Sequence, residues 1–482
     1  MRALIPLLAA AMLTAAFPVF ATPQSRNATD LWFNVNESGW GLNLIHQGDT
    51  VFASLFVYGP DGQPKWYYAS SLVGDGTSYS GPLYENTGPY FGGRFDGGPV
   101  SVRQVGTLAL SIGDDGGGLD YTIDGVHVTK SITRYTFRRT TLQGSYDGYM
   151  LQPAGSAGAE VGRTDLSLLI NDNGTAFSMD TESDSQSPCK YNGTPSQDGQ
   201  MEGAAGTFQC FSGTGPWSMN VDPTPEGFTG SFSGNGINGR IAAARRGAAQ
   251  MQGNGWRNDL WYVPNESGWG LNVIEQGDTL FASLFVYDAQ NRPRWYSASD
   301  LRQAGDSASG DVTYTGALVE STGPYFGTSF NPSAVTRRTV GQMTFRTHDD
   351  GVNAELSYSV DGVQVVKTLM RYTFRKEDFS GAYTGSYAHD RQATFTIDDS
   401  GANFQMQMVD RFGGLGTCNF VAPFSQAGMQ RTMDGTFSCS GGRTGSFSMR
   451  NATVSASGFT ARIDAPALSA DLVGGHIAGV RR

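Results

Sequence analysis

Asn36-Glu-Ser-Gly-Trp-Gly-Leu-Asn43, followed by Gln47-Gly-Asp49 and the apolar run 51–58, occurs twice in this chain. Residues 36–58 and 265–287 align without a gap, and 20 of the 23 positions are identical. The differences are Leu44/Val273, His46/Glu275 and Val51/Leu280. A self-match of this length marks an internal duplication, so the fold is read as a repeat. Within the first copy Trp40, Leu42 and Leu44 alternate with Gly41, Asn43 and Ile45, which is the period of a strand. Gly48-Asp49 turns the chain. Residues 51–58 then place Val51, Ala53, Leu55 and Val57 on one face and Phe52, Ser54, Phe56 and Tyr58 on the other. Both faces are largely apolar, which predicts a strand buried on two sides.

The duplication extends well beyond this stretch. Asp30-Leu-Trp32 returns as Asp259-Leu-Trp261, Thr87-Gly-Pro-Tyr-Phe-Gly92 as residues 322–327, and Lys130-Ser-Ile-Thr-Arg134-Tyr-Thr-Phe137 as residues 367–374. These motifs bound a unit A at 29–139 and 259–375. A second unit, B, follows each time, at 141–246 and 378–482. Its markers are Gly144-Ser-Tyr146 against Gly381-Ala-Tyr383 and Gly239-Arg-Ile-Ala242 against Gly475-His-Ile-Ala478. A polar, Gly-rich joint at 247–258 separates the halves, and its composition predicts a flexible linker. Turn signals recur at short intervals in both units, as in barrels and sandwiches. The expected fold is therefore all-β, a tandem A-B-A-B array of small antiparallel domains. A barrel is favoured because closure removes exposed edges, with a sandwich as the alternative.

The chain has 482 residues, 65 of them Gly, with 28 Phe and 20 Tyr, a composition suited to strands and tight turns. Residues 1–21 read as a signal peptide, with Arg2, an apolar run and the small-residue exit Val19-Phe20-Ala21. No later run is long enough for a membrane-spanning helix. Removing the leader leaves 32 basic residues against 44 acidic, a formal charge of −12. That balance argues against nucleic acid as a partner, because phosphate binding needs clustered Lys and Arg. The expected location is periplasmic or extracellular. Cys189 and Cys210 are 21 positions apart, as are Cys418 and Cys439. In an exported chain this repeated spacing predicts one disulfide within each B unit.

Glu-Ser-Gly-Trp-Gly-x-Asn, then Gln-Gly, Phe-x-x-x-Phe-x-Tyr and Pro-x-Trp-Tyr, resembles a module found in tandem in exported bacterial proteins. In the second copy these are residues 266–272, Gln276-Gly277, Phe281/Phe285/Tyr287 and Pro293-Arg-Trp-Tyr296. The resemblance covers the A units alone. It implies export and a β-fold, and carries no activity with it.

Candidate site residues come from what the A units keep. Trp40, Trp66, Tyr67 and Tyr90, with their copies Trp269, Trp295, Tyr296 and Tyr325, offer aromatic faces for a sugar or an apolar ligand. The competing reading puts each Trp in the core with its N–H satisfied by a carbonyl. Trp66 and Tyr67 are consecutive in a strand and point to opposite sides. Asn43 and Asn272 offer amides to a ligand or to the backbone. Glu37 with Glu85, and Glu266 with Glu320, supply paired carboxylates for a glycosidic bond if their spacing suits it. Otherwise they cap turns or pair with Lys130 or Arg134. Lys130, Ile132 and Arg134 share one strand face, as do Lys367, Leu369 and Arg371, either as an anion site or as solvated or paired outer residues. His46 and His127 have no His partner in the second copy, which excludes a duplicated His-dependent triad. The Asp114-Asp115 and Asp349-Asp350 turns lack the ligand order of a calcium loop, so neither a metal nor a cofactor is expected. The leading expectation is a secreted, non-catalytic protein that binds an extracellular ligand, with a glycan as the first candidate. The alternatives are a polysaccharide hydrolase and a structural or partner-binding scaffold.

Overall fold

The computed structural model describes residues 27–93, 95, 100–113, 116–152, 161–183, 186–246, 256–306, 310–348, 350–388, 391–411 and 414–482. The signal peptide, Asp114, Asp115, Asp349 and residues 247–255 of the joint lie outside them. The chain is all-β, and among the described residues the only helical segments are two single 3₁₀ turns, Pro332–Ala334 and Ala470–Leu472. It forms four antiparallel barrels in tandem.

Each A barrel is an eight-stranded meander closed by its short first strand. In the first, Asp30–Phe33 pairs with Gly41–Gln47 on one side and with Val126–Arg134 on the other. In the second, Asp259–Tyr262 closes against Gly270–Gln276 and Val363–Arg371 in the same way. The first B barrel closes where Gly144–Gln152 meets Ile237–Arg245. In the last, Thr417–Pro423 pairs with Gln430–Cys439 to complete the ring, and the two-residue strand Gln426–Ala427 lies alongside. Closure of all four units resolves the barrel-or-sandwich alternative. Eight strands enclose just enough room for side chains to fill. In the first A barrel Leu42, Leu44, Ala53, Leu55, Leu108 and Leu119 do so, all 1% exposed or less.

The disulfides form as the spacing predicts, Cys189 to Cys210 and Cys418 to Cys439. Each pair sits directly opposite on neighbouring strands. No helix of the described residues is long and apolar enough to cross a membrane.

The two-faced strand explains how the barrels assemble. Val51, Ala53, Leu55 and Val57 face the interior of their own barrel. Phe56 and Tyr58 instead join Trp66 in one continuous core with the second A barrel. The two A barrels therefore pack on each other about an approximate twofold axis. The B barrels also meet: Thr224 and Thr460 hydroxyls lie 2.7 Å apart, and the equivalent pair Ser455 and Thr229 lie 2.8 Å apart. The two halves therefore share extensive contacts in addition to the joint. The last three joint residues, Trp256, Arg257 and Asn258, are themselves buried, at 4%, 0% and 3% exposure.

Candidate functional site

The repeated motif builds the contact between the A barrels, and each of its interactions appears twice. Trp66 donates its indole N–H to the Val286 carbonyl at 3.2 Å, and Trp295 donates to the Val57 carbonyl at 3.0 Å. Tyr58 packs against Trp295, and Tyr287 against Trp66. The Tyr58 hydroxyl donates to the Gly39 carbonyl and that of Tyr287 to the Gly268 carbonyl, tying down each Glu-Ser-Gly-Trp turn. Glycine is required at that turn: Gly39 has φ +134°, and an added Cβ would sit 2.6 Å from Val335 of the other barrel.

The Gln-Gly-Asp turns clamp one half to the other. Gln47 accepts from the Phe374 and Arg375 amides at 3.0 and 3.2 Å and donates to the Tyr372 carbonyl at 3.0 Å. Gln276 does the same with Phe137, Arg138 and Tyr135. Each glutamine thus reads the backbone that leads from A into B in the opposite half. Asp49 pairs with Arg375, and Asp278 with Arg138.

The Thr-Gly-Pro-Tyr-Phe-Gly loops reach across the same interface. Phe326 sits against Tyr67 and Tyr121 of the first barrel, and Phe91 against Tyr296 and Tyr358 of the second. Each aromatic barrel end that the sequence offered as a pocket is thus packed by a phenylalanine from the other unit. Tyr90 and Tyr325, next to these phenylalanines, are half-buried. Asn272 donates to the Ser54 hydroxyl across the interface at 3.1 Å, and Asn43 is fully buried beside it in register with Ser54.

The charged candidates are all paired. Lys130 donates to Glu37 at 2.8 Å, and Trp40 donates its indole N–H to the same carboxylate at 3.0 Å. Lys367, Glu266 and Trp269 repeat the arrangement. Glu85 bridges Lys65 and Arg103 at 3.0 and 2.7 Å, and Glu320 pairs with Arg338 at 2.7 Å. Arg134 lies over the Trp32 ring and pairs with Asp30 at 3.0 Å; Arg371, Trp261 and Asp259 match it. Lys130 and Arg134 are thus paired, Lys130 with Glu37 as one alternative had it, but on the inward face at the barrel ends and not on the outer face. Asp30 also accepts the Gln200 amide at 2.9 Å, and Asp259 that of Met429 at 3.0 Å, which orients each B barrel on its A barrel. Burial raises both carboxyls to about 6, against the pull of their arginines.

A second candidate site was not singled out in the sequence. A cavity of ≈ 90 Å³ lies where all four barrels meet, with His46, Gln200, Asp222, Asn258 and Glu377 in its wall. The signal for it was the His46/Glu275 mismatch inside an otherwise near-identical run. Among the described residues, no group of three or more His, Cys, Asp or Glu is arranged to hold a metal ion. Asp350 accepts the Val352 and Asn353 amides, the work of a turn residue. Comparisons with protein-family models, curated proteins and solved structures gave no significant match to this chain.

Proposed function

We propose that this chain is an exported, non-catalytic binding protein, built as an internal pseudo-dimer. One observation carries the non-catalytic reading. Each carboxylate that the repeated motif offers as general acid or base, Glu37, Glu85, Glu266 and Glu320, lies within 3.0 Å of a Lys or Arg. A carboxylate held this way is already committed to its cation, whereas a general acid or base must be within reach of the proton it transfers on a substrate. The two disulfides support export, since such bonds persist in oxidising compartments.

The aromatic motif serves assembly in this reading. Trp40, Trp66, Trp269 and Trp295 are 3–8% exposed, leaving no open indole face for a sugar ring. A glycan held by those residues is the less favoured ligand. The binding role falls instead to surfaces where the two halves differ. The test incubates the purified mature chain with a panel of glycans and small polar metabolites, following both thermal stabilisation and product formation. Stabilisation without turnover supports the reading. Turnover that Glu37→Gln with Glu266→Gln abolishes would replace it with the hydrolase.

A further inference from the structure

The cavity at the centre of the molecule lies on the approximate twofold axis. Gln200 and Met429, its counterpart in the second half, both line it, as do Asp222 and its counterpart Thr453. At each of these pairs the more polar or charged member comes from the first half. Around them the halves differ as well, here with the carboxylate in the second half. Glu377 stands where the first half has Thr140, and His46 where the second has Glu275. In the second half that glutamate is neutralised by fully buried Arg257 at 2.5 Å. The first half has Ala28 at the position of Arg257, so no guanidinium fills its side. Duplication made a symmetric junction, and its polar lining has departed from that symmetry.

The wall has two carboxyls and no Lys or Arg. Asp222 accepts from the Asn27 side chain at 2.8 Å, and Glu377 accepts the Gly48 amide. The nearest guanidiniums, Arg134 and Arg431, are committed to Asp30 and Asp399. Gln200 supplies an independent sign of an occupant. It is 8% exposed, and its Oε1 accepts from Asn258 at 2.8 Å. Its Nε2 has no hydrogen-bond partner among the described residues. Buried donors are normally satisfied, so this one calls for an acceptor inside the cavity. Pro223, Val454 and Met429 add apolar surface. Partly exposed Asn27, Pro225 and Ser455 give access from solvent. The volume equals about three waters at roughly 30 Å³ each.

We propose that this junction binds a small amino alcohol. Its ammonium group pairs with Asp222 and donates to the carboxyl oxygen of Glu377, and its oxygen accepts from Gln200 Nε2. The proposal rests on the binding-protein reading and names the site and ligand class for it. The probe is ethanolamine, titrated calorimetrically into the full mature chain, with ethylene glycol as the neutral isostere. Saturable binding in the range of about 0.1–10 mM is expected for so small a ligand, with glycol at least about tenfold weaker. Asp222→Asn should abolish it. Gln200→Met, which installs the residue already present at the equivalent position, should weaken it while the fold, checked by circular dichroism, stays intact. No saturable heat, equal binding of glycol, or unchanged binding by both variants would overturn the site, the cavity then holding water alone. Stabilisation by some other ligand without ethanolamine binding would sink this site and leave the binding-protein reading standing. Substrate turnover would sink that reading and leave the site to its own titration.

Discussion

The indole N–H of Trp66 is hydrogen-bonded to the carbonyl of Val286, 220 positions away in another barrel, at 3.2 Å. Trp295 returns the contact to Val57. A residue that sequence alone offers as a ligand platform is thus part of a core shared between barrels. Truncating it is a stability experiment. Trp66→Ala should cost about 3–5 kcal/mol, the usual range for a buried Trp, and Trp295→Ala a similar amount. Urea denaturation followed by circular dichroism checks this. A loss below about 1 kcal/mol would mean the indole is not packed as described.

The interface is isologous in kind, with the same patch on both units, and such a patch is self-complementary. A half produced alone, as residues 22–246 or 259–482, leaves Tyr58, Trp66 and Gln47, or their copies, without a partner. Each half is therefore expected to self-associate into a dimer that reproduces the A–A contact. Sedimentation equilibrium should report twice the half-chain mass, reduced to one by Trp66→Ala or Trp295→Ala in the respective half. A monomer that keeps its β circular dichroism would show that the A face needs no partner.

Much of this was legible in the sequence, and for definite reasons. The strand 51–58 declares two apolar faces, and the structure gives one to its own barrel and the other to the neighbour. The opposed directions of Trp66 and Tyr67 place the first in the interface and the second inside the barrel. What periodicity could not supply was the identity of the neighbour. A β-strand that is apolar on both sides looks the same whether its outer face meets a ligand, a sheet or a second copy of itself. The outer placement of Lys130 and Arg134 failed for a related reason. Their alternation is correct, but charged residues at a barrel end can face inward when Glu37 and Asp30 wait there. The axial cavity was hidden because its wall comes from four units, and no local spacing brings His46, Asp222 and Glu377 together.

The disulfides give a third prediction. Each closes a loop of about 20 residues and should contribute roughly 3 kcal/mol in the chain-entropy model. Reduction should lower the unfolding midpoint of the B barrels. Non-reducing peptide mapping should recover Cys189 with Cys210 and Cys418 with Cys439. A Cys189–Cys418 peptide would contradict the register of both barrels.

Glu377 gives a pH dependence of definite sign. Burial raises its carboxyl from the ordinary 4.5 to about 8, against the opposing pull of the Gly48 amide and Arg431. The folded chain holds a proton that the unfolded chain releases between those values. Its contribution to stability is complete below about 4.5 and is lost as pH rises through about 8. Glu377→Gln removes the titration. Relative to that variant, the parent should lose stability across this interval, on the order of a few kcal/mol. Asp30 titrates in both proteins and cancels in the difference, while Asp259, which interacts with Glu377, adds its coupling to the effect. Parallel stability curves in urea would refute the assignment.

The most direct test of the paired-barrel account is hydrogen exchange at the two interface indoles. In the full mature chain, the N–H signals of Trp66 and Trp295 can be assigned by Trp→Phe substitution and followed by nuclear magnetic resonance. Both should be strongly protected. Gln276→Ala, which loosens the clamp without touching either Trp, should accelerate exchange at both together. Exchange of Trp66 at the rate of a free indole in the folded chain would contradict the account.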